Sequence, residues 1–557
     1  MTPRELMEAF GVLAEAPDGV KRLRELVLQL AVRGKLLPQV EGEEPAGVLL
    51  ERALEDRSWR VEEREPKLKP DAAIAALGGL VPTPEGWTEC RLVEVAQLVN
   101  GRAYAQDELL DQGTPVIRIQ NLNGGTNWYY SDLTVPDRQY CGEGDLLFAW
   151  SASFGPYFWR GARAIYHYHI WKLVLSPALD KRFFFNVLSN LTESVRGQSH
   201  GLAMLHMTKS KMEQWPVLLP PLAEQHRIVA KVDELMAFLD KLEAAKTARD
   251  ATRKALRDAV LAALREADSP DDVDLAWGRI AEQMDELFAE PEDVAPLRQA
   301  VLQLAVRGRL VRQVKGDEPV SKLLERIGKA KKRMAVERRV RIEQTELPLG
   351  DDEVPFSLPD GWKWCRNEQV CWQITDGTHY TPTYVSHGVP FLSVKDMSGG
   401  VLDFTNTRYI APAEHETLAQ RCRPERGDML LTKVGTTGIA VEVDTDQAFS
   451  LFVSVALLKG FPDHILPKYF QHVLNSPVVK RQSAEGTEGI GNKNLVLRKI
   501  RSFAIPIAPV EEQHRIVAKV DQLMALLDKL ESRLREAKRL QAAFAAAAVH
   551  HLHLVGD

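Results

Sequence analysis

The apolar positions of this chain fall into two patterns. Over Glu224–Glu243, Ile228, Val232, Leu235, Leu239 and Leu242 are spaced 4, 3, 4, 3, the seam of a helix that packs lengthwise on another helix. The same spacing returns at Ile516, Val520, Leu523, Leu527 and Leu530, and continues to Leu534 and Ala537. Pro220-Pro221 and Pro509 stand just ahead of the seams, where a proline ends extended chain and suits a first helical turn. At ~1.5 Å per residue, the run from Glu224 to about Ala263 predicts a rod of roughly 60 Å. Two rods with matching seams bury them most simply by pairing antiparallel.

The second pattern is one of short apolar and β-branched runs bounded by Gly, Asn and Asp. Thr114–Ile119, Gly144–Trp150 and Val389–Val394 are examples, and they predict strands and tight turns. These runs lie between about 82 and 219 and between 357 and 507, with a helix expected near Lys181–Val195 and another near Pro467–Asn475.

The chain is also written twice. Leu23–Leu36 recurs as Leu297–Leu310 at a displacement of 274, and Pro84-Glu85-Gly86-Trp87 as Pro359-Asp360-Gly361-Trp362 at 275. Glu224–Glu243 matches Glu512–Glu531 at 288, differing only at Glu234/Gln522 and Phe238/Leu526. Thirteen residues are therefore gained inside the segment that diverges, while its flanks are held. Even the divergent interiors share a skeleton: Gly124-Gly125 answers Gly399-Gly400, and Gly144-Asp145 answers Gly427-Asp428. One fold present twice, with different side chains on a common frame, accounts for this better than even drift after duplication.

The resulting expectation is an α+β chain: two mixed α/β domains separated by long helices that pair as an antiparallel coiled coil, related by an internal pseudo-twofold. Five segments follow. They are an N-terminal helical region with linker (1–81), a first interior (82–219), a central helical region with linker (220–356), a second interior (357–507) and a C-terminal helix (508–557).

Charge sharpens the division. The whole chain carries 71 basic and 77 acidic residues, so no global basic field points to nucleic acid. Trp87–Trp215 holds 12 of each sign and Trp362–Arg501 holds 16 basic and 14 acidic, which leaves the excess acid in the helical frame. Five widely spaced cysteines without a CxxC imply neither disulfides nor a zinc ribbon and fit a reducing cytoplasm. No apolar run approaches the ~18 residues of a membrane span, so neither export nor insertion is expected.

Motifs for chemistry are missing. The nearest look-alike to a phosphate-binding loop, Gly486–Gly491, is followed by Asn492-Lys493 and lacks the Ser/Thr that holds magnesium. GxSxG, HExxH, GxGxxG and the Asn/Asp-Pro-Pro-Tyr/Phe tetrad of amino-methyltransferases do not occur. Carboxylates beside lysine at Glu62–Lys67 lie in a charged linker, and His550, His551 and His553 read as a helix end. His226 and His514 read as capping and packing residues on a first turn; no catalytic or metal site is expected. What the interiors do concentrate in loops is amide, aromatic and imidazole groups: Gln120-Asn121, Asn127–Tyr130, His167–His169, Asp376–Thr381 and Asn492–Asn494. Such groups read base edges and contact phosphates.

These features resemble the specificity subunits of type I restriction-modification systems. The likeness rests on the twice-repeated proline lead into Glu-Gln-His-Arg-Ile-Val, the twice-repeated Leu-Gln-Leu-Ala-x-x-Gly-Lys/Arg-Leu and the Pro-x-Gly-Trp opening of each interior. Thr375–Pro382, Gly388–Asp396 and Gly427–Gly435 look like that family's target recognition domains. The first interior departs, with Gly101–Tyr104 and Trp150–Gly155 in place of Asp-Gly-Thr-His and Thr-Lys-Val-Gly.

The resemblance implies a non-catalytic DNA-binding subunit of a DNA adenine methyltransferase and endonuclease active in host defence. Each recognition domain would read one half of a bipartite, asymmetric site in double-stranded DNA, with the helices setting the spacer. Two modification subunits would supply S-adenosylmethionine-dependent methylation. Restriction subunits would add ATP- and Mg-dependent translocation and cleavage; the chain itself would hold no cofactor. A protein-protein adaptor that does not read DNA is the alternative. The residues expected at DNA are Arg102, Tyr104, Arg118, Gln120, Asn121, Trp150, Ser151 and Ser153 in the first interior. In the second they are Thr378, His379, Tyr380, Lys395, Lys433, Thr436, Asn492 and Lys493, with Lys433 on a phosphate and His379 or Tyr380 nearer a base.

Overall fold

The computed structural model describes residues 10–11, 13–62, 83–198, 208–337, 349–350, 353–488 and 494–554. The chain forms two compact units, Met1–Arg249 with Lys538–Asp557, and Asp250–Ala537.

The first unit opens with helices α1 (Gly19–Val32) and α2 (Ala46–Glu55). Strand β1 (Thr88–Arg91) begins its interior, followed by β2 (Ala96–Asn100), β3 (Thr114–Ile117), β4 (Tyr129–Ser131), β5 (Tyr140–Cys141), β6 (Leu146–Ala149), β7 (Gly155–Phe158), β8 (Ala164–Tyr166) and β9 (Ile170–Leu175). Helix α3 (Lys181–Gln198) and strand β10 (Pro216–Leu219) close the interior, and helix α4 (Leu222–Glu266) leaves it. The strands make two four-stranded sheets, β2-β9-β6-β7 and β4-β3-β8-β5, and a two-stranded clasp, β1-β10. In the clasp Thr88 pairs with Leu219, so the interior leaves and returns through adjacent points.

The second unit repeats this plan. Its helices are α5 (Pro270–Glu282), α6 (Val294–Val306) and α7 (Val320–Glu337). Its strands are β11 (Lys363–Arg366), β12 (Gln373–Asp376), β13 (Tyr384–Val385), β14 (Val389–Leu392), β15 (Arg408–Ile410), β16 (Met429–Thr432), β17 (Ala440–Glu442), β18 (Ser450–Leu451) and β19 (Val455–Lys459). Helices α8 (Pro467–Leu474) and α9 (Pro477–Glu485), strands β20 (Thr487–Glu488), β21 (Asn494–Leu495) and β22 (Ala504–Ile507), and helix α10 (Val510–Leu554) complete it. Sheet β12-β19-β16-β17 has the strand order of β2-β9-β6-β7, and β11-β22 repeats the clasp. The other sheet, β13-β15-β14-β18, keeps the parallel pair (β14 with β18, as β3 with β8) but carries its extra edge strand on the opposite side.

Both seams are buried. Ile228, Val232, Leu235 and Leu239 lie in one core with Leu23, Leu26, Val27 and Ala31 of α1, and Leu242 is partly buried against it. Ile516, Val520, Leu523, Leu527 and Leu530 lie in another with Leu297, Ala300, Val301 and Ala305 of α6. Each seam thus shares its core with a short helix of its own repeat, a neighbour the spacing alone does not name. Arg24 donates to Asp240 at 2.6 Å and Glu243 at 2.9 Å, and its twin Arg298 reaches Asp528 at 2.6 Å and Glu531 at 2.9 Å. Each unit also takes the start of one long helix and the end of the other: Ala545 is buried in the first core, Leu261 and Leu264 in the second.

The repeated sequence motifs meet at one junction per unit. Glu224 is 1% exposed, and its carboxylate accepts from the Trp87 indole at 3.0 Å and the Gln39 amide at 3.2 Å. Glu512 accepts from Trp362 at 2.9 Å and Gln313 at 2.9 Å. Burial raises both carboxyl pKa values, against the lowering effect of those two hydrogen bonds. Gln225 and Gln513, fully buried, tie the helix start to the interior by accepting from the backbone N–H groups of Asp180 and Leu466. Gly34 and Gly308 sit at φ of 68° and 66° with their Cα atoms against Pro84 and Pro359, where an added Cβ would fall 2.6 or 2.5 Å from the ring. Glu-Gln-His-Arg, Pro-x-Gly-Trp and the Gly after Leu-Ala-Val-Arg are therefore parts of one structural lock. His226 and His514 face solvent.

All five cysteines are buried and unpaired. Burial pushes the thiols of Cys141, Cys365, Cys371 and Cys422 up to about 12, so they pack as small apolar groups.

Candidate nucleic-acid interface

In each interior four connections converge at one end of the central sheet, held by equivalent backbone hydrogen bonds. In the first, Gly101 N donates to Ile170 O at 3.1 Å, Arg102 N to Tyr166 O at 3.1 Å, Trp150 N to His169 O at 3.1 Å and His167 N to Ile117 O at 2.9 Å. In the second, Gly377 N donates to Val455 O at 3.2 Å, Thr378 N to Leu451 O at 2.9 Å, Lys433 N to Ser454 O at 2.9 Å and Phe452 N to Leu392 O at 2.9 Å. Gly101 and Gly377 lie against carbonyl oxygens, 2.3 and 2.1 Å from where a Cβ would stand, so both crossings need glycine. The segments in which the first interior departs from the family pattern therefore occupy the same places as their counterparts.

The side chains on this shared end differ. In the first unit Trp150 stacks on Trp171 at 5.9 Å between ring centroids and donates its indole N–H to Tyr168 O at 2.8 Å. His167, Tyr168 and His169 crowd beside it with centroids 3.9–4.8 Å apart, and Tyr168 is 41% exposed. Burial lowers the pKa of both histidines, with their mutual charge adding to the effect on His167, so this shelf is neutral and aromatic. Arg102 is paired with Glu108 at 2.6 Å. Tyr104 packs on a small core, its hydroxyl pushed up to about 12 by burial. Arg118 lies over Tyr129 at 4.0 Å and donates to Asn127 O at 2.8 Å, a carbonyl that also accepts from the exposed Gln120 at 3.1 Å. Ser153 accepts from Asn123 at 2.7 Å, and Ser151 is half-buried.

In the second unit the slot after the strand is ionic. Lys433, 4% exposed, donates to Asp376 Oδ2 at 3.1 Å, and Asp376 is itself 2% exposed. Arg421 donates to Asp376 Oδ1, from which His379 Nε2 lies 3.2 Å. Tyr380, Lys395 and Thr436 are exposed; Lys395 donates to Asn406 O at 3.0 Å, while the Thr378 hydroxyl is spent on the turn at Tyr380.

Three expectations need revision. Thr378 is 7% exposed with its hydroxyl accepting from Tyr380 N, so it is not presented outward. Asn121 is 7% exposed and caps its own turn, accepting from Arg118 N at 3.0 Å and donating to Asn127 O at 3.0 Å, so its amide is not presented outward. Lys433 is committed to a buried ion pair, and a phosphate contact does not fit that burial. Asn492 and Lys493, like most of the Glu62–Lys67 run, lie outside the described residues. Arg421 was not singled out from the sequence; the signal available was the lengthening of the second interior between Gly400 and Gly427.

Among the described residues no group of three or more His, Cys, Asp or Glu side chains is placed to hold a metal ion, and no helix is long and apolar enough to cross a membrane. What the two ends can do is bind: they present exposed tyrosine, imidazole, amide and guanidinium groups on rigid, hydrogen-bonded loops.

A family model described as type I restriction modification DNA specificity domain matches residues 84–249 and 359–538, once in each repeat. The chain is similar to the type I restriction enzyme EcoAI specificity subunit of Escherichia coli, 27% identical over 95% of this chain and 93% of that one. It is 28% identical to the EcoEI specificity subunit of E. coli, over the same shares of the two chains. Among solved structures, the HsdS subunit from Thermoanaerobacter tengcongensis is 18% identical, covers 84% of this chain and 97% of its own, and superposes with a TM-score of 0.41.

Proposed function

The chain belongs to the type I restriction-modification DNA specificity family, and from that premise we propose that it is the sequence-reading, non-catalytic subunit of such a complex. Each interior reads one half of a bipartite, asymmetric site in double-stranded DNA. The long helices hold the halves at a set separation and dock two modification subunits, which bring S-adenosylmethionine and methylate adenine. Restriction subunits supply ATP- and Mg-dependent translocation and cleavage, and the assembly works in the cytoplasm.

One observation carries this reading: the two interiors repeat a backbone end hydrogen bond for hydrogen bond while changing the side chains on it. A scaffold that binds one ligand twice has no need of different side chains; one that reads two unlike half-sites does.

The test is an exchange of Trp87–Trp215 for the interior of another specificity subunit, followed by methylome sequencing of a host carrying the complex. One half of the methylated sequence should change while the other half and the spacer stay. Change in both halves, or in neither, would refute the two-reader model. An adaptor that does not read DNA would leave the methylated sequence untouched.

A further inference from the structure

Arg421 lies in a stretch that is longer in the second unit than in the first. From the Gly-Gly pair to the Gly-Asp that opens the central strand, the second interior is eight residues longer than the first, most of the thirteen-residue gain. Four of the eight precede β15 and four follow it, where the chain forms the helix Pro412–Ala419, with proline in its first turn, in the stretch that in the first unit holds a short turn and β5. It is pinned at both ends: His415, 7% exposed, lies 2.8 Å from the Ser450 hydroxyl of β18, and Cys422 is 6% exposed in the core beneath. Arg421 is held just past this helix, its carbonyl accepting from Gln373 of β12 at 3.1 Å. Its guanidinium donates to the Asp376 carboxylate and, at 3.1 Å, to the Asp376 carbonyl, yet the side chain remains 55% exposed.

The charges on this cluster do not cancel. Asp376 is one carboxylate facing two permanent cations, Lys433 on one oxygen and Arg421 on the other. Lys433 is sealed in, so the surplus positive charge is presented by Arg421, with the 63%-exposed His379 ring beside it on the same oxygen. The other buried acid group of the sheet does not offset it: Asp428 is paired with Lys459 at 2.5 Å at the opposite end of β16, five residues from Lys433 or roughly 17 Å along the strand. Among the described residues Arg421 has no second acidic partner. A guanidinium fixed at its base, with unused donors pointing outward and uncompensated charge, suits a tetrahedral oxyanion.

We propose that Arg421 and His379, mounted on Asp376, form an anion site that takes a backbone phosphate of the DNA at the second unit's half-site. Arg421 is the contact and Asp376 a positioning residue. The helix Pro412–Ala419 thereby gives the second reader a phosphate anchor in a stretch where the first unit has a short turn and β5. This rests on the DNA-reading function proposed above.

The experiment uses the complete complex with its modification subunits, a duplex carrying the site mapped by methylome sequencing and a scrambled duplex of the same composition. Binding of each is measured across a salt series. Arg421→Ala should weaken both duplexes alike, by roughly tenfold, and lower the log–log salt slope by about one. Arg421→Lys should restore the slope. Asp376→Asn, which leaves the cations in place but loosens them, should keep the slope and weaken both duplexes alike, by less than Arg421→Ala does. An unchanged slope for Arg421→Ala, or a loss confined to the mapped duplex, would overturn the phosphate assignment. Wild-type complex that binds both duplexes equally would instead remove the reading function itself, so the two failures are distinguishable.

Discussion

Directly after the central strand, the first unit places the indole of Trp150 and the second the ammonium of Lys433, on backbones that make the same hydrogen bonds. The position diagonally across on the neighbouring strand explains how both fit. Trp171 stands there in the first unit and Ala456 in the second, paired across the sheet with Asn100 and Asp376 respectively. Two indoles fill the first slot by stacking. In the second, alanine leaves room for a lysine stem whose charge is answered by the aspartate. The frame accepts dispersion or charge in one position provided every polar group is satisfied. Side-chain identity at the reading ends is thus decoupled from backbone geometry, whereas at the Trp-Glu-Gln junctions the two units keep the same atoms.

The largest test of that contrast is Asp376→Ala. It leaves Lys433 buried without a partner and should cost about 3–5 kcal/mol, read as a lower melting temperature of the second unit with the first unit's transition unmoved. Replacing both groups, Asp376→Asn with Lys433→Met, should recover most of the loss; a double variant no better than the single would show that the slot is not governed by charge pairing.

Next come Trp87→Phe and Trp362→Phe, each of which removes one donor from a buried carboxylate. Both should destabilise by about 1–3 kcal/mol in chemical denaturation, and by nearly the same amount. Markedly unequal losses would mean that the junctions differ beneath their matching sequence.

The smallest effect is one of pH. Burial raises the carboxyl pKa of Glu224 and Glu512 in the folded chain, so the stability each contributes is greatest below its unfolded value and is lost as pH rises through the folded one. Glu224→Gln and Glu512→Gln have no such dependence, and each should gain on the wild type between pH 4 and pH 7 in urea melts. A gain that shrinks with rising pH would contradict the burial effect.

Much of the frame was legible because its signals are local. The 4, 3 spacing of Ile228 to Leu242 needs only a helix and an apolar neighbour, and all five positions are buried or partly buried. That α1 shares this core was hidden, since Leu23 and Ile228 join one core only through the fold. The reading ends were legible as loops but not as chemistry. Lys433 beside Gly435 suggests an exposed cation, yet its partner Asp376 is 57 residues away and both sit where strands bury them. Asn121 likewise carries the composition of a reader and the geometry of a turn. Arg421 lacked any motif; only the position of the extra eight residues pointed to it.

The grouping of the chain into units bears on its birth at the ribosome. The second unit is one continuous stretch, Asp250–Ala537, whereas the first needs Lys538–Asp557 as well, including the buried Ala545. Domains ordinarily fold in the order of their synthesis. Here the half that emerges first waits on residues made after the second: a nascent chain halted before Lys538 holds every residue of the second unit, while the first still lacks the buried Ala545.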